Sequence, residues 1–160
     1  MMRILGIDPG TSRIGVGIVE YSHSEYKHIF HDLITPSGAD SGNTLVQISD
    51  AVRGLMEKYR PDRVGLEKLF FSKNVTTALS VAEARGVIKK LVSEYGIPLV
   101  EVAPNEVKLA LTGRGNATKN EVAGMVSKFL DIDTDELIDD TTDALAVAIT
   151  ASSQSSIPDN

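Results

Sequence analysis

The sequence predicts an α/β domain on a mixed five-stranded sheet, and three observations carry the prediction. Two apolar runs, Ile4–Ile7 and Ile14–Val19, are separated by Asp8-Pro9-Gly10-Thr11-Ser12-Arg13, which holds the chemistry of a hairpin turn. A third, weaker run, Glu25–Ile34, follows closely enough to pair antiparallel with the second. Two short strands, Arg63–Glu67 and Leu99–Val102, each come after a helical stretch, which sets them parallel to the first strand. The chain has 160 residues, the size of one ordinary domain that can bury a full core without staples.

The elements follow in order. Thr35-Pro36-Ser37-Gly38 breaks the third strand. From about Thr44 to Tyr59, Leu45, Ile48, Val52, Leu55 and Met56 recur at helical spacing, and Pro61-Asp62 ends that helix. A long helix is expected over 74–95, stopped by Gly96 and Pro98, with Val75, Leu79, Ala82, Ile88, Leu91 and Tyr95 on one face. Within it Ala78, Ala82 and Gly86 form a ridge of small residues, suited to close approach by the chain's own sheet or by a partner helix. Pro104 stands near the start of a short helix over 105–111. Thr118 with Glu121 reads as a capping box for a helix ending near Leu130. A last helix spans about 139–150, so the domain is expected over residues 1–151, with a short polar, disordered tail over 152–160.

Composition narrows the chemistry. There is no cysteine, which excludes disulfides, thiolate metal sites and thiol nucleophiles. No secretory leader is visible, and no apolar run approaches the roughly 18–20 residues needed to cross a bilayer. A cytoplasmic protein with no membrane partner is the expectation. The net charge of −6 argues against a polyanionic partner until its distribution is considered. Residues 68–128 carry nine Lys/Arg against five Glu, leaving the rest of the chain at −10. Seven acids fall within 131–143 alone. Local field, rather than the total, steers a polyanion.

The carboxylates fall at telling places. Asp8 ends the first strand, where an unpaired buried charge costs several kcal/mol. Either the turn amides of Gly10 and Thr11 or a metal ion compensates it. Glu67 ends the fourth strand in the same way. Asp140 and Asp143, three apart, share a face at the start of a helix that is apolar all round and therefore buried; Asp139 is four from Asp143. If strands one and four are neighbours, Asp8 and Glu67 lie side by side. Like charges about 4 Å apart repel by roughly 1 kcal/mol in water and about 4 near a protein surface. Protonation or bound cations must relieve four such groups. All-oxygen ligands favour Mg²⁺ or Mn²⁺.

Four motifs in series are Ile4-Leu5-Gly6-Ile7-Asp8-Pro9-Gly10; Glu67 with Phe70 and Lys73-Asn74; Ala84-Arg85-Gly86; and Asp140-Thr141-Thr142-Asp143-Ala144-Leu145-Ala146. Together they resemble the RuvC-type Holliday-junction resolvases, over nearly the whole chain from Arg3 to about Ile149. The resemblance implies an RNase H-like fold, the sheet flanked by helices on both sides. It implies a homodimer that binds four-way junction DNA and nicks two opposed strands symmetrically, in recombination and repair. A junction-migrating motor complex is a further partner of such enzymes. By position, Asp8, Glu67, Asp140 and Asp143 would be the catalytic, metal-binding acids, holding two Mg²⁺ for which Mn²⁺ can substitute. Lys73, Lys108 and Lys119 would contact DNA, and Phe70 or Phe71 would stack on a base near the junction centre. Read without the resemblance, both rings are core residues and Lys108 and Lys119 are solvated helix surface. The tail after Ile149 is shorter and less basic than in many such proteins, which puts a tail contribution to DNA binding in doubt.

Three other readings compete. An RNA-processing nuclease of the same fold shares the first motif and the late acids. An actin-like ATPase shares the Gly6–Ser12 loop but needs a second related domain. A non-catalytic junction-binding module would not need all four acids.

Overall fold

The computed structural model describes residues 1–10, 12–69 and 75–154. Its elements are β1 (Met2–Asp8), β2 (Ile14–Ser22), β3 (Glu25–Ile34), α1 (Ser41–Tyr59), β4 (Arg63–Glu67), α2 (Val75–Glu94), β5 (Leu99–Val102), α3 (Pro104–Thr112), α4 (Lys119–Leu130) and α5 (Asp139–Ser153). The sheet order is β3-β2-β1-β4-β5. β1, β2 and β3 are antiparallel, while β4 is parallel to both β1 and β5. The mixed five-stranded sheet is thus the one expected.

Strand alternation sorts the side chains. On one face Leu5, Ile7, Val16, Ile18, Val64 and Leu66 pack with Ile48, Val52 and Met56 of α1 and Ala84, Ile88 and Leu91 of α2. On the other face Ile4, Val19, Val100 and Val102 pack with residues of α3, α4 and α5. The second face of β1 carries Ile4, Gly6 and Asp8, and that of β4 carries Arg63, Gly65 and Glu67. Both acids therefore point toward α5, at the carboxyl ends of adjacent parallel strands.

α5 lies directly on this face because the strands beneath it present glycines. A Cβ on Gly6 would come within 2.6 Å of the Ala148 nitrogen and would overlap the Ala144 carbonyl. A Cβ on Gly15 would overlap the Asp140 carbonyl. Ten residues of α5, from Thr141 to Ala151, are buried. The helix runs to Ser153, past the end expected near residue 150. Arg63 Nη1 holds its end, donating to the carbonyls of Ala151 (2.7 Å) and Gln154 (2.6 Å).

Local signals account for the helix ends. α1 starts at Ser41, earlier than expected, because the Asp40 carboxylate accepts from the Gly42 amide at 3.0 Å. The capping box of α4 is formed as read: the Thr118 hydroxyl accepts from the Glu121 amide, and Glu121 accepts from the Thr118 amide. α2 departs from the reading. Its buried face is Ala78, Val81, Ala84, Arg85, Ile88, Leu91 and Val92, whereas Val75 and Leu79 are exposed. Of the small-residue ridge only Ala78 is buried; Ala82 and Gly86 face outward. The helix is rotated so that Arg85, not Ala82, meets the sheet.

A bulge at Ile18/Val19 changes the alternation of β3. It brings His28 and His31, three apart, together, with Nε2 and Nδ1 at 2.9 Å.

The glycine contact makes a prediction with a built-in control. Gly6→Ala should destabilise the protein by about 1–3 kcal/mol or more, through overpacking. Gly54→Ala, in an open position of α1, should stabilise it by about 0.5–1 kcal/mol. Urea denaturation of the two variants beside the parent checks both signs.

Candidate active site

The site assembles where three elements end. Ile7 pairs with Leu66 in the β1–β4 ladder, so Asp8 and Glu67 emerge side by side one residue later. Their carboxyl groups interact directly, and the charge of Glu67 adds to burial in favouring the protonated form of Asp8. The N-terminal end of α5 adds Asp140 and Asp143, whose side chains are 28% and 29% exposed. Asp139 is 81% exposed, so the more buried pair is Asp140 and Asp143.

Two cations are interleaved with the acids. Arg13, in the β1–β2 turn, places Nε 3.0 Å from Asp140 Oδ2. Lys119, the first residue of α4, holds Nζ 3.5 Å from both Asp139 and Asp143. No three His, Asp or Glu side chains among the described residues are gathered so as to grip a metal ion as they stand. The donor set nonetheless suits a hard divalent cation: it is carboxylate oxygen throughout, and its negative charge is only partly offset.

That imbalance shows in the acidities. Burial pushes Asp8 up to about 9, helped by the hydrogen bond and charge of Glu67 and by the charge of Asp140, with Lys119 acting in opposition. Asp143 rises to about 6, through burial first and then the charge of Asp8. Lys119 is raised, chiefly by Asp143, and stays protonated at neutral pH.

A cleft of about 270 Å³ opens beside the acids, lined by Glu67, Asp143, Lys108 and Lys119 over an apolar floor that includes Val107 and Val147. Lys108 and Lys119 thus stand at one opening rather than on unrelated surface. Phe70, Phe71 and Lys73 lie outside the described residues. Two neighbours of the acids were not assigned a role from sequence. Arg13 was hidden in the hairpin turn. Arg85 belongs to the Ala84-Arg85-Gly86 motif, and its guanidinium donates to the Glu67 backbone carbonyl and to the Glu101 carboxylate.

The family model described as crossover junction endodeoxyribonuclease RuvC matches residues 4–151. The chain belongs to the RuvC family. The RuvC of Thermotoga petrophila, named a crossover junction endodeoxyribonuclease, is 44% identical over 92% of this chain and 90% of its own length. That of Brevibacillus brevis is 43% identical, over 93% and 90%. Among solved structures, T. thermophilus RuvC in complex with a Holliday junction substrate superposes with a TM-score of 0.88 at 30% identity, covering 94% of this chain and 92% of that one. The yeast mitochondrial Holliday junction resolvase gives a TM-score of 0.71 at 12% identity, covering 92% and 76%, which speaks for the fold alone. The expected RNase H-like architecture is therefore the RuvC fold, with α1 and α2 on one side of the sheet and α3, α4 and α5 on the other. No helix among the described residues is long and apolar enough to cross a membrane.

The acidities of this RuvC-family site set a pH dependence. The folded state holds the Asp8 proton up to about 9, whereas the unfolded chain releases it near 3.8. The folded state therefore binds more protons between those values, and stability falls as pH rises through them. In chelator, the melting temperature should decline from pH 6 to pH 9. Asp8→Asn should flatten the slope and melt several degrees above the parent at pH 8, as calorimetry at both pH values would show.

Proposed function

We propose that this chain is a divalent-metal-dependent endonuclease that resolves four-way DNA junctions as a homodimer, nicking two opposed strands. The observation that carries the reading is the meeting of Asp8, Glu67, Asp140 and Asp143 at one end of the sheet, in a RuvC-family chain. Asp8 and Glu67 supply oxygens from rigid strand ends, and Asp140 and Asp143 from the N-terminal end of a buried helix. These four would hold Mg²⁺, or Mn²⁺ in its place. The metal would supply an activated water and neutralise the leaving oxygen. Asp8 would hold the metal as its carboxylate, and Asp140 in place of its ion pair with Arg13. Lys119, protonated and at the cleft, would meet the charge that develops on the phosphate. Lys108 and Lys119 would position the strand through its phosphates, with Lys73 a third contact, and Phe70 or its neighbour Phe71 would stack on a base at the crossover.

Pairing of two copies is supported by the outward face of α2. Val75 and Leu79 are 66% and 60% exposed, and Ala82 and Gly86 continue the same row with small side chains. Such a row allows the helix of a second copy to approach closely. A junction-migrating motor complex would act on the same DNA, delivering the crossover to the paired sites.

A substrate panel tests the reading. The protein should cut a synthetic four-way junction in Mg²⁺ while leaving linear duplex and single-stranded RNA intact. Asp8→Asn, Glu67→Gln, Asp140→Asn and Asp143→Asn should each abolish cutting yet retain junction binding. Asp139→Asn, which changes the more exposed acid, should cut at close to the parent rate. RNA cut in preference to the junction would overturn the assignment.

Electrostatic contacts should appear in the salt dependence. Each phosphate neutralised adds about 0.9 to the slope of log affinity against log salt. Lys108→Ala and Lys119→Ala should each lower that slope by roughly one contact per site, measured by fluorescence anisotropy without metal.

A further inference from the structure

Arg85 is a buried guanidinium on α2, only 8% exposed, and it faces the sheet where an apolar residue would ordinarily sit. Burying a guanidinium is costly unless its donors are paired. Here they are used in two directions. Nη1 donates to the backbone carbonyl of Glu67, at the end of β4, and Nη2 to the carboxylate of Glu101 on β5. Lys89, one turn along α2, adds a second cation 3.4 Å from Glu101. Glu101 is thereby held as the counter-charge that keeps the guanidinium in place. A planar fork suits this bridging, since it serves two acceptors at a fixed angle, which an ammonium does not reproduce.

The bridge acts at a sensitive point. Glu67 is the last residue of its strand, and its side chain leaves the sheet toward Asp8. A carbonyl fixed at that residue fixes the peptide plane from which the carboxylate departs. The next amide, Lys68 N, is also tied, donating to Val102 O at 2.8 Å.

We propose that Arg85, braced by Glu101, is a positioning residue that orients Glu67 for metal binding through the Glu67 backbone carbonyl. The inference rests on the reading of Glu67 as a metal ligand. Groups that orient ligands in this way typically contribute 10–100-fold to metal affinity.

The test is direct Mn²⁺ binding, read from the loss of the free-ion electron paramagnetic resonance signal, with junction affinity measured in metal-free buffer. Arg85→Met should weaken Mn²⁺ binding about tenfold, with junction affinity within about twofold of the parent. Arg85→Lys should fall between the two, and Glu101→Gln, which keeps an acceptor oxygen, should weaken Mn²⁺ binding less than Arg85→Met. Should Arg85→Met fail to fold, Arg85→Lys and Glu101→Gln decide alone. A folded set with Mn²⁺ binding equal to the parent, whatever the melting temperatures, would overturn the proposal. Glu67→Gln separates this from the underlying reading. If that change leaves Mn²⁺ binding intact, Glu67 is not a ligand. If it abolishes binding while the Arg85 variants bind normally, only the positioning role falls.

Discussion

The contact on which the rest of the structure depends is the bare-backbone approach of α5 to the sheet. Gly6, Gly15, Gly17 and Gly65 form a trough across β1, β2 and β4, and the helix lies in it with Leu145, Ala148 and Ala151 against the strands. Helix-on-sheet packing usually holds the backbones apart by two layers of side chains. Here one layer is missing, so the first turn of α5 sits low over the strand ends. That height lets acids from a helix and acids from two strands share one site. Side chains in the trough would lift the helix and separate Asp140 and Asp143 from Asp8 and Glu67.

The same arrangement concentrates negative charge. Asp8 is driven toward its neutral form by burial and by Glu67, and Asp143 is raised for similar reasons. Arg13 and Lys119 offset part of the repulsion. Neither is deeply buried: their side chains are 54% and 64% exposed, so each can move off its carboxylate at little packing cost. The acids, by contrast, are fixed by strands and by a buried helix. The site therefore has rigid anions and movable cations, which suits exchange of a side-chain counter-charge for an external one.

Much of this was legible in the sequence because its signals were strong and local. Turn residues after Asp8, the apolar runs and the capping box at Thr118 placed the strands and α4, although β1 begins before its run, at Met2, and β2 continues past its run to Ser22. The more buried acids could be found because Asp140 and Asp143 precede a run that is apolar on every side. The face of α2 could not. Alanines and a glycine dilute its helical periodicity, and the buried stripe includes Arg85, which hydrophobic patterning assigns to solvent. Its burial depends on Glu101, a partner sixteen residues away on β5, and no periodicity reveals such a pairing. The trough glycines were similarly inconspicuous. Gly6 and Gly65 sit inside apolar runs, where an isolated strand glycine is the one sign of close backbone approach.

The two outermost strands decide whether another chain can extend the sheet. An unpaired strand flank is a row of free amides and carbonyls, open to recruitment by another chain. β5, with four residues, is too short to offer much of a template. β3 is ten residues long, but its bulge interrupts the ladder, and it carries Lys27, His28, His31 and Asp32. Both flanks are thus blunted against edge-to-edge addition. In a crowded solution this disfavours open-ended β-stacking, so the sheet is a poor seed for fibres.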